Sequence, residues 1–185
     1  MKRVLPFALL LCGIPALAQV APKDGDLPMP GSAPCPLIAE PVRFCGTSPQ
    51  FVLTPQADNA EITSYFATPL GIQAIAVVEP IGRTNGLTIE RLQDVALQNL
   101  AAASGAPVET IPVIQRGQLI IAGGPHPNFV YRGTVDGEMY VYSNSMLLME
   151  DSVAQFVTIE SGVTTYSPRH RSLHLQFLDQ MQVTQ

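Results

Sequence analysis

Two pairs of residues, Asp136-Gly137 and Asp151-Ser152, each separate β-prone runs that are otherwise almost continuous. That spacing constrains the fold more than any other feature of the chain. A two-residue connection can join only antiparallel neighbours, because a parallel return needs a crossover of about a dozen residues or more. Strands are therefore expected over 113–122, 128–133, 138–150 and 153–160, paired as a meander. The third run is long for one strand, so a bulge or bend is expected near Asn144. Upstream, "GIQAIAVVEPI" (71–81) is rich in β-branched residues and predicts a buried strand, with short strands possible at 50–53 and 61–66.

Helices bracket the meander. In "LTIERLQDVALQNLAAASG" the apolar residues Ile89, Leu92, Ala96 and Leu100 recur at helical spacing. Thr88 is a suitable N-cap, and Gly105 with Pro107 ends the run. The second helix is "SPRHRSLHLQFLDQ", with Ser167 as its cap and Pro168 at its first position. A strand run with a helix before and a helix after predicts an α+β class, an antiparallel β-sheet covered as an α/β/α sandwich.

The amino terminus predicts export. Lys2 and Arg3, an apolar run from Val4 to Leu11 and the small-residue site Ala16-Leu17-Ala18 form the pattern of a signal peptide over 1–18. The apolar run is too short to span a bilayer, which takes about twenty residues. Cleavage after Ala18 leaves 167 of the 185 residues and moves the net charge from −5 to about −7. Such a chain has no basic cluster for nucleic acid and no second apolar span, so neither nucleic acid nor a membrane span is expected of the mature protein. Residues 19–36 form a Pro/Gly-rich extended arm, and 37–185 a single α+β domain. Cys35 and Cys45 remain after cleavage, an even count that predicts one structural disulfide in an exported chain.

The chemistry-bearing residues are few. His170 and His174 are four apart and share a helical stripe with Leu173, Phe177 and Met181. Two histidines at that spacing can begin a zinc site, but the residue after the first is Arg171, where a zinc protease carries its general-base Glu. His126, in "AGGPHPNF", would have to complete a zinc-dependent enzyme site. The plainer expectation is a helix packed on the sheet with its histidines at the margin of that contact. "AGGPHPNF" itself lacks the spacing of a phosphate cradle and is expected to connect two strands. No G-x-S-x-G elbow occurs. In the loop "EPIGRTNGLT", Arg83 and Asn85 precede the first helix and could hold a small anion. Met139 to Met149 carries apolar residues on both faces, as in a sheet covered on both sides.

The element order, with strand "IQAIAVVE", helix "TIERLQDVALQNL", adjacent strands in "MYVYSNSMLLMEDSVAQFVTIES" and a closing helix "PRHRSLHLQFLDQMQV", resembles the PsbP-like α/β/α sandwich of thylakoid-lumen proteins and of bacterial envelope proteins of the DcrB type. The resemblance covers roughly 44–185. It implies a non-enzymatic accessory or binding module in the periplasm, with an envelope protein as partner and no cofactor.

Overall fold

A computed structural model describes residues 35–46, 50–54, 63–67, 71–81 and 86–183. The expected leader 1–18, the arm 19–36 up to residue 34, and both Arg83 and Asn85 lie outside the described residues.

Alternation along one strand shows how the layers are arranged. In β5 (Ile72–Pro80), Ile72, Ala74, Ala76 and Val78 enter one hydrophobic core, and Ile75 and Val77 enter another. Successive side chains point to opposite faces of a strand, so the sheet separates two cores. Helix α1 (Ile89–Ser104) covers one face with Leu92, Ala96, Leu97 and Leu100. Helix α2 (Pro168–Leu178) covers the other with Leu173, Phe177 and Leu178. The fold is the expected α+β class, with one helix on each face of an antiparallel sheet.

That sheet has seven strands among the described residues, in the order β3-β4-β5-β9-β8-β7-β6. They are β3 (Val52–Thr54), β4 (Thr63–Ala67), β5, β6 (Val113–Ile121), β7 (Gly124–Val135), β8 (Glu138–Leu148) and β9 (Ser152–Ser161), each antiparallel to its neighbours. The meander after α1 is the one the turn spacing predicts. Asp136 and Gly137 take φ of 52° and 80°, which a tight hairpin turn requires. Two expectations are corrected. No bulge interrupts β8 at Asn144, because β8 pairs residue for residue with both β7 and β9. "AGGPHPNF" is a connection only at Ala122-Gly123, and from Gly124 onward it is the start of β7.

The caps form as the sequence suggests. Thr88 Oγ1 accepts from the Arg91 amide at 3.3 Å, Gly105 closes α1 at φ 68°, and Ser167 Oγ accepts from the His170 amide at 3.0 Å. Close approach of α1 depends on a glycine. A Cβ on Gly133 would stand 2.7 Å from Leu100 Cδ2, so α1 rests directly on the β7 backbone.

A second sheet, β1-β2-β10, was not anticipated. Here β1 (Leu37–Ala39) and β10 (Met181–Val183) flank β2 (Val42–Phe44), so the residues that follow α2 return as a strand. Val42, Phe44 and Met181 join the core of α2. The Cys35–Cys45 disulfide forms as predicted, across a Cα–Cα distance of 4.7 Å, and ties the residues before β1 to the end of β2.

Ala122 holds φ at 48°, a left-handed conformation that costs an alanine about 1 kcal/mol relative to glycine or asparagine. It is exposed and its turn partner is Gly123. Ala122→Asn is expected to raise stability by up to about 1 kcal/mol, read as a higher urea midpoint at unchanged slope. A lower midpoint would contradict the assigned turn.

Candidate functional site: a buried histidine pair between sheet and helix

The α2 face of the sheet carries two cross-strand rows. One runs Ala74, Thr158, Ser143, Val130 and the next runs Ala76, Phe156, Ser145, Asn128. Small and polar residues at the centre of a sheet leave room above them, and the imidazoles of α2 occupy that room. His170 and His174 are both 0 % exposed, so they sit inside the contact and not at its margin, which corrects the sequence expectation. The stripe itself is right: four of its five residues, His170, Leu173, His174 and Phe177, face the sheet, while Met181 has left the helix for β10.

Hydrogen bonds join the rows to the helix in one chain. Asn128 Nδ2 lies 3.2 Å from Ser143 Oγ and 3.0 Å from Ser145 Oγ. Ser145 Oγ is 2.8 Å from His174 Nε2. Thr158 Oγ1 bridges the two rings, 2.9 Å from His174 Nδ1 and 2.9 Å from His170 Nε2. His170 Nδ1 faces Glu160 Oε2 at 3.5 Å, a charge contact too poorly aligned for a formed hydrogen bond. Glu160 also accepts from Ser167 Oγ at 3.3 Å and has Arg169 Nη1 at 3.9 Å. A branch leads from Ser143 Oγ to Tyr166 OH, 3.1 Å away.

The Asn128 NH2 group, which also lies 3.3 Å from His174 Nε2, can only donate, and the Glu160 carboxylate can only accept. Ser145 therefore donates to His174 Nε2, His174 Nδ1–H to Thr158, the Thr158 hydroxyl to His170 Nε2, and His170 Nδ1–H points at Glu160. Both imidazoles are neutral Nδ1–H tautomers in this arrangement. Burial drives both below the ordinary 6.5, His170 to about 4 and His174 to about 3, with His170 adding to the effect on His174. For His170 the cost of burying charge outweighs a hydrogen bond with the Thr158 backbone, which acts in the opposite direction.

Ser145 and His174 have the contact distance of a nucleophile and its base. Both are completely buried, as is Thr158 behind them. A cleft of about 400 Å³ lies elsewhere, lined by residues such as Ser104, Ile111, Arg132, Asp136 and Met139, and it shares no residue with the chain. His126 does not join the other histidines. It lies on β7 opposite Leu119, with its Nε2 3.2 Å from where a Cβ on Gly124 would stand, and burial lowers its pKa. Among the described residues no three of His, Cys, Asp or Glu converge as metal ligands. This geometry therefore does not carry the zinc reading of His126, His170 and His174.

Sequence reasoning missed Asn128, Ser143, Ser145, Thr158 and Glu160. The available signal was Ser143-Asn144-Ser145, three polar residues at the middle of a long apolar strand. Polar residues there need internal partners, and two histidines on a neighbouring helix were the candidates.

No family model matches the chain, and no curated protein matches it in sequence. Its resemblance to PsbP-like domains therefore rests on element order alone. The chain is similar in structure to a Bacteroides thetaiotaomicron protein (TM-score 0.43, 5% identity, 74% of this chain, 42% of that one). It is also similar to a Pseudomonas aeruginosa protein of unknown function (0.39, 14%, 68% and 88%). A third is LpqN, a protein involved in cell envelope biogenesis of Mycobacterium tuberculosis (0.34, 9%, 82% and 83%). The chain thus spans less than half the length of the first of these.

Above pH 6.5 the neutral pair contributes its full stability. As pH falls from 6.5 through about 4 and then about 3, the unfolded chain binds protons that the folded chain refuses, and stability drops. The slope should approach about 1.4 kcal/mol per pH unit for each histidine. His174→Gln should flatten it, and an unchanged slope would contradict the assignment. Thr158→Val strips two imidazole nitrogens of their shared partner and is expected to cost about 2–4 kcal/mol in chemical denaturation.

Proposed function

We propose that this chain is an exported, non-enzymatic accessory module of the bacterial cell envelope that works by binding a protein partner. On this reading the leader 1–18 is removed, 19–36 is a tether, and 37–185 is the working domain in the periplasm. The observation that carries it is a contrast between interior and edge. The groups with reactive potential, Ser145, His170 and His174, are enclosed and linked by hydrogen bonds, Ser145 to His174 directly and His170 to His174 through Thr158. Among the described residues the outer strand β6 has no strand partner on its far side, and it carries exposed Ile114 and Ile120. An open strand edge with apolar side chains offers main-chain hydrogen bonds and a hydrophobic contact to another chain.

The disulfide supports the location, since such bonds persist in oxidising compartments. Among the described residues no helix is long and apolar enough to cross a membrane. Expressed with its leader, the protein is expected in the periplasmic fraction, beginning at Gln19 and carrying no thiol that reacts with maleimide unless it is first reduced. Expressed without residues 1–18, it should expose two reactive cysteines. A leader-bearing chain that stays cytoplasmic with free thiols would overturn the placement.

A further inference from the structure

Among the described residues of one copy, nothing explains Gly117. Glycine weakens the middle of a strand, so its presence there usually marks a backbone conformation or a close approach. Of the described glycines, Gly71, Gly86, Gly105, Gly123, Gly137 and Gly162 have positive φ. Gly46, Gly124 and Gly133 have side-chain atoms where a Cβ would stand. Gly117 has neither: its φ is not positive, and the nearest atom to a Cβ is Gln115 Nε2 at 3.9 Å. It is the central residue of β6, the outermost strand on its side of the sheet.

The chain direction of β6 adds a second constraint. The turn at Ala122-Gly123 makes Ile121 and Gly124 a hydrogen-bonded pair, so Gln115, Gly117 and Leu119 also turn their main-chain groups toward β7. Arg116, Gln118 and Ile120 turn theirs outward. "VIQRGQLII" (Val113–Ile121) is self-complementary about Gly117. A two-fold axis through Gly117 sets Arg116 of one copy opposite Gln118 of the other, so the strand's one charge meets no like charge. It sets Gln115 opposite Leu119, and exposed Ile120 (56%) opposite exposed Ile114 (40%), which lies at the bulge where β6 begins. At the axis the two Gly117 residues form a pair without mutual hydrogen bonds, the position where backbones come closest, about 4.5 Å between Cα atoms.

We propose that the partner at this edge is a second copy of the same chain, with the two β6 strands paired antiparallel about Gly117 to make one continuous sheet. This rests on reading β6 as the binding edge.

The test uses the full mature chain, residues 19–185. Sedimentation across a concentration series is expected to show twice the monomer mass. Gly117→Lys, which sets two like charges at the axis, and Ile120→Lys should each raise the dissociation constant at least about tenfold. Gly117→Cys should oxidise to a linked dimer that reductant separates, while Ser161→Cys, exposed at another strand end, should not. A wild-type chain that stays monomeric, or a Gly117→Cys variant that links no better than the control, overturns the proposal. A photo-crosslinker at Gln118 in the native envelope separates the two levels. Linkage to one different protein would overturn the second-copy proposal and leave β6 as a binding edge. No linkage from β6 would overturn both.

Discussion

One hydroxyl holds the two layers of the α2 side in register. Thr158 Oγ1 lies 2.9 Å from a ring nitrogen of each histidine, so a single sheet residue fixes the rotation and the position of the helix above it. Apolar contacts alone, such as those of Leu173 and Phe177, tolerate sliding, whereas a hydrogen-bonded pair in a dry interior does not. Neutrality is a condition of this arrangement. A charged imidazole there would need a counter-charge, and among the described residues the carboxylate facing the pair is Glu160, beside the start of α2.

The two faces of the sheet solve the packing problem differently. On the α1 face, Phe129, Tyr131 and Tyr142 stack at 4.6 and 5.0 Å between centroids, and Gly133 lets Leu100 settle onto the backbone. That face is filled by bulk. On the α2 face, Ala74, Ser143, Ser145 and Thr158 are small, and the imidazoles fill the space with polar atoms that are almost all partnered. Most of the polar atoms buried on that face are thus partnered within the protein.

The strand meander and both helices were legible because local signals determine them. Turn pairs such as Asp136-Gly137, caps such as Thr88 and Ser167, and an amphipathic period all act within a few residues. The small sheet was not legible, since β1, β2 and β10 are three residues each, too short for a periodic pattern, and are paired across nearly the whole described chain. The histidine stripe was visible, yet its depth was not. Whether His170 and His174 meet solvent or sheet depends on Thr158 and Ser145, and cross-strand register is a property of the pairing and not of either strand. The expected bulge at Asn144 failed for a related reason. The length of the run suggested a break in the strand, whereas the strand runs on through Ser143-Asn144-Ser145, with Ser143 and Ser145 on the histidine face and Asn144 on the other, where it donates to Gln155 at 3.0 Å.

The central claim is that the two histidines form a neutral, directional bolt between sheet and helix. Nitrogen-detected NMR of the imidazole rings in the folded protein, followed as pH is lowered, tests it most directly. The account predicts that both rings are Nδ1–H tautomers and remain neutral through the range in which an exposed histidine gains its proton. Ordinary titration of either ring near 6.5, or an Nε2–H tautomer at His174, would contradict it.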